Sequence, residues 1–437
     1  MKAASHAFHQ DVPVIASADV VVVGGGPGGL GAAVMAARRG ARVLLAERYG
    51  YLGGMAVSGE VHPFMSNHAN SQTFDKPIYT EWIERMRAYL PPAALADAPI
   101  TGEAMGPRER MISKDHAMLA MEDLCLEAGV ELLFHHTLVG AVCHGRLVQA
   151  AIMQSKSGLG AIEAPVFVDA TGDADLSVMA GCRAEVGGPS GHCQPMTLCF
   201  KLGHVAVDRV PPRDEINARY RAAVARGEIE CPRENVLIFG WTEPDVLHFN
   251  TTRVVRHSAI DGKALSAAEL LGRRQLRQYL AFLRREIPGF EQATIHSIGH
   301  HIGVRESRRI VGRARLAREA FTARRKFPDA IARVSYGIDI HNPDGTGTEI
   351  EHMAPGEWYE IPYGCLVPAD VDNLLVAGRP ISVDHAIHSS MRVMPPAVSI
   401  GQAAGMAAAM AVQQGCLPPG LDGCAVRDGL RAAGARL

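Results

Sequence analysis

Gly24-Gly25-Gly26-Pro27-Gly28-Gly29 stands between the apolar run Val20-Val21-Val22-Val23 and the small-residue stretch Leu30 to Arg38. A strand, a tight glycine turn and a helix N-terminus in that order can hold a pyrophosphate. Gly24 permits the turn, Gly26 lets the backbone approach phosphate oxygens, and Gly29 lets the helix pack closely on the strand. Free N–H groups at the helix start meet the negative charge. A second apolar run, Ala41 to Ala46, leads into Glu47, 23 residues after Gly24. That is near the ~20-residue spacing of an acid that accepts hydrogen bonds from an adenosine ribose. Strand, helix and acid together predict an adenine dinucleotide, with FAD and a nicotinamide cofactor both open on the motif alone.

The chain has 437 residues, beyond the ~250–300 at which a single core stops growing, so two domains or one interrupted domain are expected. Hydrophobic residues at 47% and charged residues at 21% exclude a chain disordered along its length. A net charge of −2 gives no pull toward nucleic acid or acidic membranes. Residues 1–17 lack the apolar core of a secretory signal and read as a loose tail, and Ala403 to Val412 is too short to span a bilayer. The nine cysteines include no Cys-x-x-Cys pair, which removes redox dithiols, zinc sites and iron–sulfur clusters. Scattered, odd-numbered thiols suit a reducing, cytoplasmic setting.

Helical spacing predicts a helix over Ala117 to Gly129, followed by a strand at Val130 to Phe134. Leu147 to Met153 and Ala164 to Val168 flank the turn Ser157 to Gly160 and predict a hairpin or small meander laid against the first sheet. From about Gly187 glycine, proline and isolated apolar runs replace the regular alternation, which marks a domain boundary. Helices are predicted at Ala267 to Glu286 and at Val304 to Lys326, the latter with its nine basic residues on a solvated face. Near the end, Asn373 to Ala377 is a short strand running into Gly378-Arg379. A last helix starts around Pro395-Pro396 and stops at Gly415.

Four segments line up in order: the glycine turn with Glu47-Arg48 and Gly53-Gly54-Met55; Asp169 to Asp173; Asn373 to Arg379; and Arg392 to Pro395 with Gly401 to Gly405. The pattern resembles the FAD-dependent oxidoreductase family, whose flavin domain is similar to those of fumarate reductase-like and glutathione reductase-like flavoproteins. The resemblance covers residues 18–188 and 359–437 well and is thinner between them, resting there on Arg305 to Ile310. It implies an α/β fold, with a Rossmann-like FAD-binding domain of a central parallel sheet and small β-meander, plus an inserted α+β substrate or cap domain. The expected parts are 18–75, 105–188 and 359–437 for the flavin domain, 76–104 for a cap insertion and 189–358 for the substrate domain.

Carried over by resemblance, Glu47 would hold the ribose and Gly24, Gly26, Gly28 and Gly29 the pyrophosphate. Arg48, Gly53, Gly54 and Met55 would approach the cofactor, Ala170, Thr171 and Gly172 would pass beneath the adenine half, and Val139 would offer backbone groups to its edge. Gly378 and Arg379 would close over the phosphates or ribityl chain. The helix start at Pro395 and Pro396 would point at the flavin's pyrimidine edge, where reduction places negative charge. The histidine motif that attaches flavin covalently in fumarate reductase relatives is missing, so non-covalent FAD is expected.

Flavin chemistry needs a group that moves the proton accompanying the hydride, and histidine is the default. Ser382 to Arg392 must pass near the ring, which selects His385, His388 and Arg392; His62 follows Gly53-Gly54-Met55 closely. Arg305 or Arg308 could clamp a carboxylate or other anion, or form an interdomain ion pair. Expected partners are a small-molecule substrate and an electron acceptor that stays open among oxygen, quinone, nicotinamide and protein, with no nucleic acid or membrane; a homo-oligomer stays open. Two competing readings are an NAD-binding enzyme like those that form thiazole, and a flavin-carrying electron-transfer subunit that needs a partner.

Overall fold

Val20–Val23 is four β-branched residues, all buried, the composition of a strand covered on both faces. In the computed structural model, which describes residue 6, residues 9–90 and residues 113–437, this strand is the centre of a five-stranded parallel sheet. Val43–Ala46 pairs on one side (Val20 with Val43, Val23 with Ala46) and Val166–Asp169 on the other (Val20 with Val166, Val23 with Asp169). Glu131–Leu133 and Leu374–Val376 complete the two edges.

Alternation along the strands assigns each face its cover. Val20 and Val22 join Leu45 and Val168 in a core with the helix Pro27–Arg38 and the long last helix Met394–Gln414. Val21, Val23, Leu44 and Phe167 face the opposite way, onto Val148, Ala151, Met153 and Ile162. Those last four come from a meander of Thr137–His144, Leu147–Ser155 and Gly158–Glu163.

Four local expectations are corrected. Val14–Ser17, assigned to a loose tail, is a strand parallel to Gly158–Glu163. The Leu147 strand forms its hairpin with Gly158–Glu163, whereas the Ala164 to Val168 run enters the parallel sheet, because its continuous apolar side chains need burial on both faces. Val304 to Lys326 is no helix: it contains the strand Arg308–Ile310, paired antiparallel with Ala184–Val186, and the short helix Arg318–Thr322. Two of its arginines turn inward to fixed partners, Arg308 to Asp175 at 2.8 Å and Arg309 to Glu306 at 2.5 Å, while Arg313, Arg315 and Arg325 stay exposed, so the basic residues do not form one solvated helical face. The predicted 267–286 helix begins earlier, at Gly262, where the Asp261 carboxylate accepts from the Ala264 N–H at 2.7 Å.

A second core draws on residues from Met196 to Val304. Ile238–Gly240, Leu247–Phe249, Phe200–Gly203 and Thr294–Ile298 form, in that order, an antiparallel sheet. Helices Arg213–Ala225 and Gly262–Glu286 contribute Tyr220, Tyr279 and Phe282 to its core. Beyond Val304 the chain returns to the first core, where Ala330–Val334 pairs with Tyr359–Pro362. Helix Ile78–Ala88 also packs into the first core through Ile78, Tyr79, Trp82 and Ile83; residues 91–104 of the expected cap insertion lie outside the described residues.

Candidate active site

Missing side chains bring the two key helices together. A Cβ on Gly31 would lie 2.2 Å from the Val398 carbonyl oxygen, one on Gly401 2.0 Å from that of Gly28, and one on Gly405 2.1 Å from that of Ala32. The helices Pro27–Arg38 and Met394–Gln414 therefore touch backbone to backbone along their length. At the turn itself Gly24 has φ +104°, and a Cβ on Gly29 would meet the Gly24 carbonyl oxygen at 1.9 Å, so neither position tolerates a side chain. This contact delivers two helix N-termini to one place. Their caps, Gly26 and Val393, provide no side-chain acceptor, and each helix carries proline in its first turn. Pro27, Pro395 and Pro396 carry no N–H, so among the described residues the first-turn donors left for something else to satisfy are those of Gly28 and Gly29 on the first helix and Met394 on the last.

Both ends open on a cavity of about 1190 Å³ that runs between the two cores. One end is lined by Gly24, Gly26, Gly28, Glu47, Arg48 and the turn Ala170-Thr171-Gly172, with Gly378 and Arg379 alongside. Gly54, Met55 and His62 follow, then Arg392, Val393 and Met394; the middle region adds Thr197, Arg233, Asn250 and Arg305, and the following stretch Tyr336, Asp339 and His341. Glu47 is buried and accepts from the N–H groups of Gly25 at 2.6 Å and Tyr49 at 3.0 Å. Burial pushes its carboxyl above the usual range, against the pull of those two N–H donors. Asp169 fixes the neighbouring turn by accepting from Thr171 N–H at 3.1 Å and Ser177 N–H at 2.7 Å. An adenine dinucleotide fits these groups: a buried acid for the ribose, helix-end amides for the diphosphate, and space beyond Gly26, where a Cβ would find only the Gly54 Cα, at 3.7 Å.

The other expected contacts sort by place. Gly53 (φ +130°) shapes the turn before Gly54, and Gly29, Pro395 and Pro396 are buried in their helices rather than lining the cavity. Val139 lies on the meander, 46% exposed and outside the lining. Arg379 lines the cavity with its guanidinium already engaged, donating to the carbonyls of Gly172 and Val304 and pairing with Asp173 at 2.6 Å. It fastens the second core to the turn beneath the cavity.

His62 lines the cavity and is buried. Its Nε2 lies 3.0 Å from the Ala56 carbonyl oxygen; a carbonyl only accepts, so Nε2 carries the proton and Nδ1 the lone pair. Burial, helped by the Lys201 charge, lowers its pKa to about 4. Behind it Glu60 pairs with Lys114 at 3.0 Å and Lys201 at 3.2 Å; burial would raise this carboxyl, and the two lysines hold it below its ordinary value instead. His385 and His388 do not line the cavity. His385 Nδ1 is 2.8 Å from the buried Glu306, which also receives Arg309. His388 is buried with neither ring nitrogen partnered among the described residues, and burial drives its basicity down. Arg233, Tyr336, Asp339 and His341 were not singled out from sequence; the alternation Ile338-Asp339-Ile340-His341 was the available signal for the last pair.

Residues 19–430 match the family described as FAD dependent oxidoreductase. No curated protein matches the sequence. Among solved structures, the chain is similar to a geranylgeranyl bacteriochlorophyll reductase-like protein from Thermoplasma acidophilum at 12% identity, covering 91% of this chain and 79% of that one with a TM-score of 0.46. It is also similar to the p-nitrophenol 4-monooxygenase PnpA from Pseudomonas putida DLL-E4 (12% identity, 92% and 82% covered, TM-score 0.46). The myxobacterial chondrochloren halogenase CndH gives 15% identity, 95% and 79% covered, and a TM-score of 0.42. Among the described residues no helix is long and apolar enough to cross a membrane. With a match that spans nearly the whole chain, this protein takes FAD as its cofactor and belongs to the FAD-dependent oxidoreductase family.

Proposed function

We propose that the chain holds FAD non-covalently along the cavity and exchanges a hydride between that flavin and a small organic molecule. The observation that carries this reading is the meeting of two helix N-termini, each without a side-chain cap, in one cavity beside a buried acid. Bound FAD would supply the two-electron chemistry, and the protein's share is binding, orientation and electrostatics. Glu47 would hold the ribose, and the amides around Gly26 and Gly28 the diphosphate. The uncapped end at Val393 and Met394 would stabilise the negative charge that reduction places on the flavin's pyrimidine side. His62, held neutral and packed against Phe64, Trp241 and His248, would shape the cavity wall; its lowered basicity makes it a poor proton store at neutral pH. The cysteines, all nine free, suit a reducing cytoplasm.

Heat denaturation followed by mass spectrometry of the supernatant tests the non-covalent binding: FAD should be released, and flavin retained on the precipitate would refute it. Reconstitution with 5-deaza-FAD tests the hydride, since that analogue accepts hydrides but not single electrons. A substrate that bleaches bound FAD under anaerobic conditions should reduce the analogue as well. Bleaching confined to natural FAD would point instead to a one-electron carrier.

A further inference from the structure

The part of the cavity lined by Arg233, Arg305 and Arg392 carries more positive charge than the protein neutralises. Arg305 spends Nη1 on the Pro195 carbonyl at 2.8 Å and the Thr197 hydroxyl at 2.5 Å, while Nη2 reaches only Asn250 Oδ1, at 3.5 Å. Arg233 is 7% exposed, and among the described residues its Nη1 has no partner and its Nε reaches only Asn235 Oδ1, at 3.5 Å. Among the described residues neither arginine has a carboxylate in ion-pair range. Among the described residues Arg392 has an unpartnered Nε, long bonds from Nη2 to Gln194 Oε1 (3.5 Å) and the Asp339 carbonyl (3.3 Å), and one carboxylate, Asp339 at 3.7 Å, which the Tyr336 hydroxyl (3.0 Å) and His341 (3.6 Å) also approach. The other nearby acid, Glu234, is engaged by Arg253 at 3.3 Å and by the Gly347 N–H.

Guanidinium groups keep their charge, and a buried cation without a counter-ion is expensive. The contrast within this protein is sharp: the equally secluded Arg379 and Arg309 each have a carboxylate within 2.6 Å. The three under-paired arginines feel one another, for burial and then the charges of Arg392 and Arg233 lower Arg305 to about 9. Burial and the same arginines keep His341 neutral. The planar forks are the geometry that receives two oxygens of one anion.

We infer that Arg233, Arg305 and Arg392 recognise an anionic oxygen group, a carboxylate or phosphate, on the organic substrate. This deepens the proposed function and rests on it, because it assigns the FAD diphosphate to the glycine turn and leaves this wall for substrate. Placement supports the division. Arg305 is fastened to middle-region residues, and its neighbour Val304 donates its N–H to the Met55 Sδ at 3.4 Å, just past the Gly54 turn.

Calorimetric titration of the FAD-loaded protein with benzoate, succinate and phenyl phosphate, against the uncharged benzamide, succinamide and phenol, provides the test. At least one anion should bind, its uncharged counterpart should not, and Arg305→Gln and Arg233→Gln should each weaken that anion about tenfold or more while FAD content stays at the wild-type level. Arg256→Gln, at an exposed arginine paired with Asp344, should bind like wild type. If Arg305→Gln does not fold, Arg233→Gln and Arg392→Lys carry the same expectation. The inference is overturned if no anion binds more tightly than its uncharged partner, if the folded variants bind like wild type, or if they lose FAD, which would give the arginines to the diphosphate. A wild-type chain that takes up no FAD refutes the proposed function instead, and separate flavin quantification tells the two failures apart.

Discussion

Replacing Gly26 by alanine separates the cofactor role of the glycine turn from its structural role. Gly26 has φ −78° and ψ −173°, a backbone conformation alanine adopts without strain. Its added methyl would meet only the Gly54 Cα, at 3.7 Å, an ordinary contact. Alanine is a poorer helix cap than glycine, but it also restricts the unfolded chain, so the net change in stability should stay within about 1 kcal/mol. The same methyl would enter the space where backbone must approach the diphosphate. Losing one charge-assisted hydrogen bond of about 1.5–3 kcal/mol lowers FAD affinity about 10- to 100-fold. Gly29→Ala is the counterpart: its methyl would lie 1.9 Å from the Gly24 carbonyl oxygen, and the overpacking should destabilise the FAD-free protein by about 3 kcal/mol. Flavin titration and thermal unfolding of both FAD-free variants read the difference. A Gly26→Ala protein that binds FAD like wild type would refute the reasoning, as would one that fails to fold.

Gly401→Ala, remote from the cavity lining, should destabilise by about 3 kcal/mol and lose flavin, because its methyl would meet the Gly28 carbonyl oxygen at 2.0 Å and push the last helix off the first; an unchanged denaturation midpoint would show that contact to be slack. His62 has a folded pKa of about 4 against an ordinary 6.5, so the unfolded state takes up its proton first and stability falls as pH drops from 6.5 toward 4, by about 3 kcal/mol at most. His62→Gln should remove that fall. Asp75, pushed up to about 7 by burial, acts in the opposite direction between pH 3.8 and 7, so the quantity to measure is the difference between wild type and variant; parallel pH curves would contradict the assignment. Glu306→Gln should cost about 3 kcal/mol by stranding Arg309 in the interior, whereas His385→Ala should keep its full complement of FAD; loss of flavin from His385→Ala would place that histidine at the cofactor after all.

The flavin half of the fold was legible because its signals are local and mutually consistent. The Val20–Val23 run, the glycine turn and Glu47 lie within one stretch of chain, and each obeys a backbone rule that needs no tertiary knowledge. The backbone contact between Gly28 and Gly401 was only half visible: glycines stand at both sites, but nothing local says that each fits the other. The Val304 to Lys326 region misled because basic residues at helical spacing normally share a face toward water, and here Arg308 and Arg309 turn inward to Asp175 and Glu306 from a strand. Sequence position near the last helix favoured His385 and His388, yet the chain coils into the short helix His385–Met391 and buries both rings or ties them to Glu306. The arginine wall was visible only in Arg305 and Arg392, since Arg233 comes from an irregular stretch and His341 from the end of a short strand, both brought in by tertiary packing.

If sequence-distant pieces meet around one flavin, a crystal structure of the FAD-loaded protein must show it. The diphosphate should lie on the amides of Gly26 and Gly28, the ribose on Glu47, and the flavin ring against the helix end at Val393 and Met394. A diphosphate found on Arg233 and Arg305, or a flavin that leaves the Val393 helix end untouched, would contradict the account.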